Sequence, residues 1–171
     1  MTILFYVFLA FFFSSAIELF CGSMGIIIPL TALVAFYFSM VFGWRIAVSC
    51  AIFSGLAIDL LYGRSFFITA PLLSIGALIA LPWIYRPESK SLFLNALLGG
   101  AIAGIYLIPL SMISAHSLGM SFSSFFQNIS NLIFGVAFGI VFTPFLIVAL
   151  DELAEKLGCP LFRDARAKLM K

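Results

Sequence analysis

From Ser91 to Leu150 the chain carries not one Asp, Glu, Lys or Arg. Soluble domains are about one-quarter charged, whereas a bilayer crossing needs about 20 consecutive apolar residues. A charge-free run of this length holds two crossings and a polar turn. The whole of the 171-residue chain agrees with that reading, with 64% hydrophobic and only 9% charged residues and a mean hydropathy of +1.22. The apolar runs are continuous, as in ILFYVFLAFFF and NLIFGVAFGIVFTPFLIVAL. A transmembrane β-barrel alternates polar and apolar positions in segments of about ten residues instead. The expected class is therefore all-α, a polytopic transmembrane helical bundle.

Six segments follow on the same ruler, at 3–20, 25–42, 46–63, 66–85, 91–114 and 125–150, and together they form a transmembrane domain over 1–150. The breaks carry turn chemistry, including Cys21-Gly22-Ser23, Gly63-Arg64-Ser65 and Arg86-Pro87-Glu88-Ser89-Lys90. Met1–Phe20 has the apolarity of a signal peptide but no Lys or Arg before the apolar run, so it is read as a retained helix. Segments three and four, joined by a very short turn, imply a helical hairpin.

Lys and Arg mark the cytoplasmic loops of membrane proteins. With the N-terminus inside, Arg45, Arg86, Lys90 and all the basic residues of the tail lie inside, and Arg64 alone lies outside. The expected location is a cytoplasmic membrane with both termini cytoplasmic. Residues 151–171 form a short tail, read either as a contact for anionic lipid or a cytoplasmic partner, or as a solvated end. The net charge of +2 and the lack of a basic stripe exclude nucleic acid as a partner.

Chemistry-bearing residues are few. Cys21, Cys50 and Cys159 are scattered, with no CxxC pair. One histidine, His116, and two intramembrane acids, Glu18 and Asp59, make neither a metal site nor a convergent acid–base pair. No catalytic residue, metal or cofactor is expected, and Glu18 and His116 are left as an outer-side polar cluster. Trp44, Trp83 and Tyr85 read as interfacial anchors. Gly99, Gly100 and Gly104, with neighbouring alanines, read as a close helix-packing surface.

Asp59 lies in GLAIDLLYG, residues 55–63. Gly55, Asp59 and Gly63 are spaced four apart and so share one helical face. Asp59 is about 6 Å from the outer end at 1.5 Å per residue. The glycines let another helix pack closely and hide the acid from lipid. Its expected hydrogen-bond donors are loop backbone N–H groups, Ser65 or Arg64, with Glu18 competing for Arg64. Two readings stay open. Asp59 staples a hairpin turn, or it marks a partner-binding or ligand-binding surface.

The run from Gly43-Trp44-Arg45 through Gly55-Leu56-Ala57-Ile58-Asp59-Leu60-Leu61-Tyr62-Gly63 resembles the signature helix of the rod shape-determining MreD family. Length, hydropathy, early motif position and a short polar tail are also similar to that family. The resemblance implies a non-catalytic scaffold of the cell-elongation and peptidoglycan-synthesis machinery in the bacterial inner membrane. It would bind an MreC-like protein and act with MreB filaments, RodA and a penicillin-binding transpeptidase. Gly55, Leu56, Asp59, Gly63 and Arg64 would form its packing or partner face. The implied fold is similar to the S components of energy-coupling-factor transporters. A vitamin-type small-molecule-binding S component is therefore the alternative, with Glu18, Asp59, Arg64 and His116 as pocket groups.

Overall fold

The computed structural model describes residues 2–64, 67–84, 91–117 and 122–162. Six helices follow one another: α1 (Thr2–Ser23), α2 (Leu30–Phe42), α3 (Trp44–Leu61), α4 (Thr69–Ile84), α5 (Leu92–Ser117) and α6 (Phe122–Lys156). No strand occurs among the described residues. Within α1, α3, α5 and α6, four stretches are long and apolar enough to cross a membrane. The chain is a helical membrane bundle in which consecutive helices alternate in direction. One end of the bundle holds Arg64, and the other holds the start of the tail.

The helix bounds differ from the sequence expectation where local chemistry intervenes. The second helix begins at Leu30 and not at 25, with Pro29 as its N-cap at φ −83°, ψ 46°. Proline disfavours helical backbone in the residue before it. The fourth helix begins at Thr69, just past the Gly63 turn. At the other extreme α6 runs past residue 150 to Lys156, because Asp151, Glu152 and Glu155 extend it without a breaker until Gly158.

The short helix α2 is the axle of the bundle. Its 13 residues reach only about 20 Å at 1.5 Å per residue, less than the roughly 30 Å hydrocarbon thickness. Every residue from Leu30 to Met40 is buried, and α2 touches each of the other five helices. Phe38 packs edge-on against Tyr6 at 5.3 Å and stacks with Phe11 at 5.8 Å. Ser39 Oγ donates to the Ala77 carbonyl at 2.6 Å, tying α2 to α4.

The α5–α6 pair is held differently, by the absence of side chains. A Cβ built on Gly139 would lie 2.7 Å from Ala103 Cβ and 2.9 Å from the Gly99 carbonyl oxygen. The glycines of α5 therefore find their partners in α6. Such small-residue seams let helices approach where lipid offers no hydrophobic drive for association. Trp83 has a bonding role within the bundle. Its indole Nε1 donates to the buried Asn95 Oδ1 at 2.8 Å, joining α4 to α5.

The beginning of the tail folds back onto the bundle. Gly158, at φ +65°, ends α6 in a left-handed turn in which Cys159 N–H returns to the Ala154 carbonyl at 2.9 Å. This seats Phe162 on Tyr37, with ring centroids 6.0 Å apart and planes 15° from parallel. Phe162 N–H and Tyr37 Oη–H both donate to Asp151 Oδ1, at 2.9 and 2.7 Å. Cys159 and Phe162 are thus core residues and not part of a solvated end. Tyr85 and residues 163–171 lie outside the described residues.

The seam makes a contrast of two alanine substitutions. Gly139→Ala must force α5 and α6 apart and is expected to cost about 1–3 kcal/mol as overpacking. Gly104→Ala, whose new methyl meets Val136 Cγ2 at 3.6 Å, is expected to leave the thermal midpoint in detergent unchanged within a degree or so. Thermal unfolding of the two purified variants side by side checks the difference.

Candidate functional site

Asp59 is completely buried on the face of α3 that meets the beginning of α4. Gly55, one turn earlier, makes that meeting possible, because a Cβ there would run into the backbone of Thr69 and Ala70. The helix then ends in a turn that uses Gly63 at φ +62°. Gly63 N–H donates to the Leu60 carbonyl at 3.1 Å and Arg64 N–H to the Asp59 carbonyl at 2.9 Å. This paired closure needs a left-handed residue at the position Gly63 fills. Gly63 is therefore not part of the packing face expected for it. It is exposed, has open space around its Cα, and serves to reverse the chain.

The reversal brings three donors to the Asp59 carboxylate. Thr69 N–H donates to Oδ2 at 2.8 Å, Thr69 Oγ1–H to Oδ1 at 2.5 Å, and Arg64 Nη1 to Oδ1 at 3.2 Å. Arg64 Nη1 also donates to Thr69 Oγ1 at 2.8 Å, and its guanidinium lies over the Tyr62 ring at 4.7 Å. Thr69 is the first residue of α4. The first N–H groups of any helix lack intrahelical partners, and the helix dipole makes that end positive. Asp59 thus caps α4 from the neighbouring helix.

Glu18 repeats the arrangement one hairpin earlier. Buried near the end of α1, it accepts Thr31 N–H on Oε2 at 3.0 Å, in the first turn of α2. Its other oxygen accepts Tyr106 Oη–H from α5 at 2.5 Å. The sequence expectation that Glu18 competes for Arg64 is replaced by this pairing. The guanidinium forms its ion pair with Asp59. In both hairpins a long helix carries an acid near the Arg64 end, and that acid holds the N-terminus of the short helix that follows.

Around these caps lies a cavity of about 260 Å³, opening at the Arg64 end. Glu18, Tyr62, Arg64 and Tyr106 line it, together with the amides Gln127, Asn128 and Asn131 of α6. Of the sequence-predicted residues, Glu18 and Arg64 meet in this cavity, and Asp59 sits behind Arg64. Gly55 is buried against α4, and Leu56 is half-buried beside it on α3. His116 lies in the last turn of α5, and its side chain is outside the described residues, as is Ser65. Sequence reasoning missed Thr31, Thr69, Tyr106 and the amides. The Gln127–Asn131 spacing of four in an apolar helix was the available signal, since it places both on one face.

No family model matches the chain, and no curated protein or solved structure matches it.

Removing the second cap tests its energetic weight. Asp59→Leu strands the Thr69 N–H and hydroxyl and the Arg64 charge, an uncompensated burial worth about 3–5 kcal/mol. Arg64→Gln, at a side chain 32% exposed, is expected to cost no more than about 1 kcal/mol. Detergent unfolding midpoints should rank wild type, Arg64→Gln, then Asp59→Leu, and equal midpoints for the two variants would refute the capping role.

Proposed function

We propose that the chain is a non-catalytic scaffold subunit of the bacterial cell-elongation machinery, of the MreD type, acting by receiving a membrane helix of an MreC-like partner. The observation that carries this reading is a groove of about 570 Å³ between α1 and α3 on the outside of the bundle. Small side chains, Ser15, Ala16, Ser54 and Ala57, line it together with the buried Phe11, and Phe8, Phe12, Phe53 and Leu61 line it with large exposed side chains. Phe8 is exposed by 67% and Phe53 by 74%. An apolar channel that interleaves small residues with bulky ones suits one helix lying lengthwise, since small residues permit close backbone approach in lipid.

The two acids support the same reading from inside. Glu18 and Asp59 are each engaged by helix N-terminal N–H groups, the work of structural caps. Placement in the inner membrane with cytoplasmic termini rests on the distribution of Lys and Arg. RodA, the penicillin-binding transpeptidase and MreB filaments are further partners on this reading.

Filling the groove is the test. Ala57→Phe, at an exposed position of α3, is expected to keep the wild-type unfolding midpoint while lowering co-purified MreC-like protein at least about tenfold, the effect of some 1.4 kcal/mol. Leu60→Phe, on the same helix but outside the groove, should co-purify normally. Wild-type recovery of the partner by Ala57→Phe contradicts the reading.

A further inference from the structure

The cavity at the Arg64 end goes beyond what a scaffold needs. We propose that it is a binding site for a small, water-soluble amphiphilic carboxylate, received by Arg64 and Asn128. The inference rests on residues separate from the groove and holds whether or not the chain docks an MreC-like helix.

Three observations converge. The first is an unused donor. Asn128 lines the cavity, and its Nδ2, buried behind that surface, has no hydrogen-bond partner among the described residues. Buried polar groups are otherwise almost always paired, so this amide keeps a donor that an outside partner would satisfy on a small turn of the side chain. The partner of an N–H₂ group is an acceptor oxygen.

The second is a cation held in place with donors to spare. Nη1 of Arg64 serves Asp59 and Thr69, and the guanidinium plane rests on Tyr62. A guanidinium has five N–H donors in a fixed fork, so among the described residues a second edge is left for the cavity it lines. Such an edge matches a carboxylate in bidentate fashion. Because Asp59 and Tyr62 fix the fork beforehand, little side-chain freedom is lost when a ligand arrives.

The third is the shape of the cavity. Ile27, Leu110 and Tyr106 line it along with the charged and amide groups. Its volume of about 260 Å³ is just under the roughly 300–1,000 Å³ typical of drug-sized ligands. A molecule the size of a single aromatic ring with one carboxylate fits both the volume and the two-sided lining. Its anionic end reaches Arg64 and the Asn128 amide, and its apolar body meets Ile27, Leu110 and the Tyr106 ring.

Equilibrium dialysis of the purified full chain in detergent tests this, with benzoate and 4-hydroxybenzoate as probes and benzamide as the neutral isostere. Saturable binding of the carboxylates is expected, with benzamide at least about tenfold weaker because it lacks the charge the guanidinium recognises. Asn128→Leu is expected to weaken benzoate at least about tenfold while the unfolding midpoint stays level or rises, since the substitution removes an unpaired buried donor. That combination separates a ligand-binding amide from a structural one. Arg64→Gln should abolish binding, and Asn128→Leu decides the matter where Arg64→Gln loosens the fold. The proposal is overturned if no carboxylate binds the wild-type protein at millimolar concentration, if benzamide binds as well as benzoate, or if Asn128→Leu leaves benzoate affinity unchanged.

Discussion

Everything in this bundle depends on how two short helices begin inside an apolar molecule. The α2 and α4 helices start away from water, where unpaired N–H groups cost several kcal/mol each. The chain supplies one carboxylate to each start from the long helix just before it, Glu18 for α2 and Asp59 for α4. Each acid meets a positive helix end, and the helix end gains an acceptor that its own first turn does not offer. This reciprocity explains how an apolar chain retains two buried acids. It also allows α2 to be too short to span a bilayer, since its N-terminus is capped by protein and its flanks are covered on all sides.

The two ends of the molecule are finished by related means. At the Arg64 end, Asp59 receives a backbone N–H, a hydroxyl and a guanidinium, and this fixes Arg64 where it lines the cavity. At the other end Asp151 receives Phe162 N–H and the Tyr37 hydroxyl, and this seats the first turn of the tail against α2. The outer groove between α1 and α3 is left uncovered by both arrangements.

Much of the fold was legible because hydropathy and turn chemistry suffice to count membrane helices. The position of Asp59 on a glycine-lined face was legible for the same reason, through the four-residue spacing from Gly55. Its principal partner was not. Thr69 reaches Asp59 only because Gly63 turns the chain back and α4 starts late, and neither the handedness of that turn nor the helix start follows from apolarity. Glu18 was harder still, since Tyr106 lies in a helix far along the chain. Burial was illegible in places where every residue is apolar. Phe38 is fully buried and Phe53 is 74% exposed, yet both sit in apolar runs, because lipid and protein interior make the same demand on a side chain. The amides of α6 do not stand out by apolarity, although the four-residue spacing of Gln127 and Asn131 puts those two on one face.

Backbone hydrogen exchange at the starts of α2 and α4 tests the central claim most directly. In the wild-type protein, Thr31 and Thr69 amides should both be strongly protected. Asp59→Leu should release protection around Thr69 while leaving Thr31 as it was, and Glu18→Leu should do the reverse. Each cap would then be shown to hold its own helix. Unchanged protection of Thr69 in Asp59→Leu, or of Thr31 in Glu18→Leu, would contradict the account, because the helix start would then be held by something other than the carboxylate.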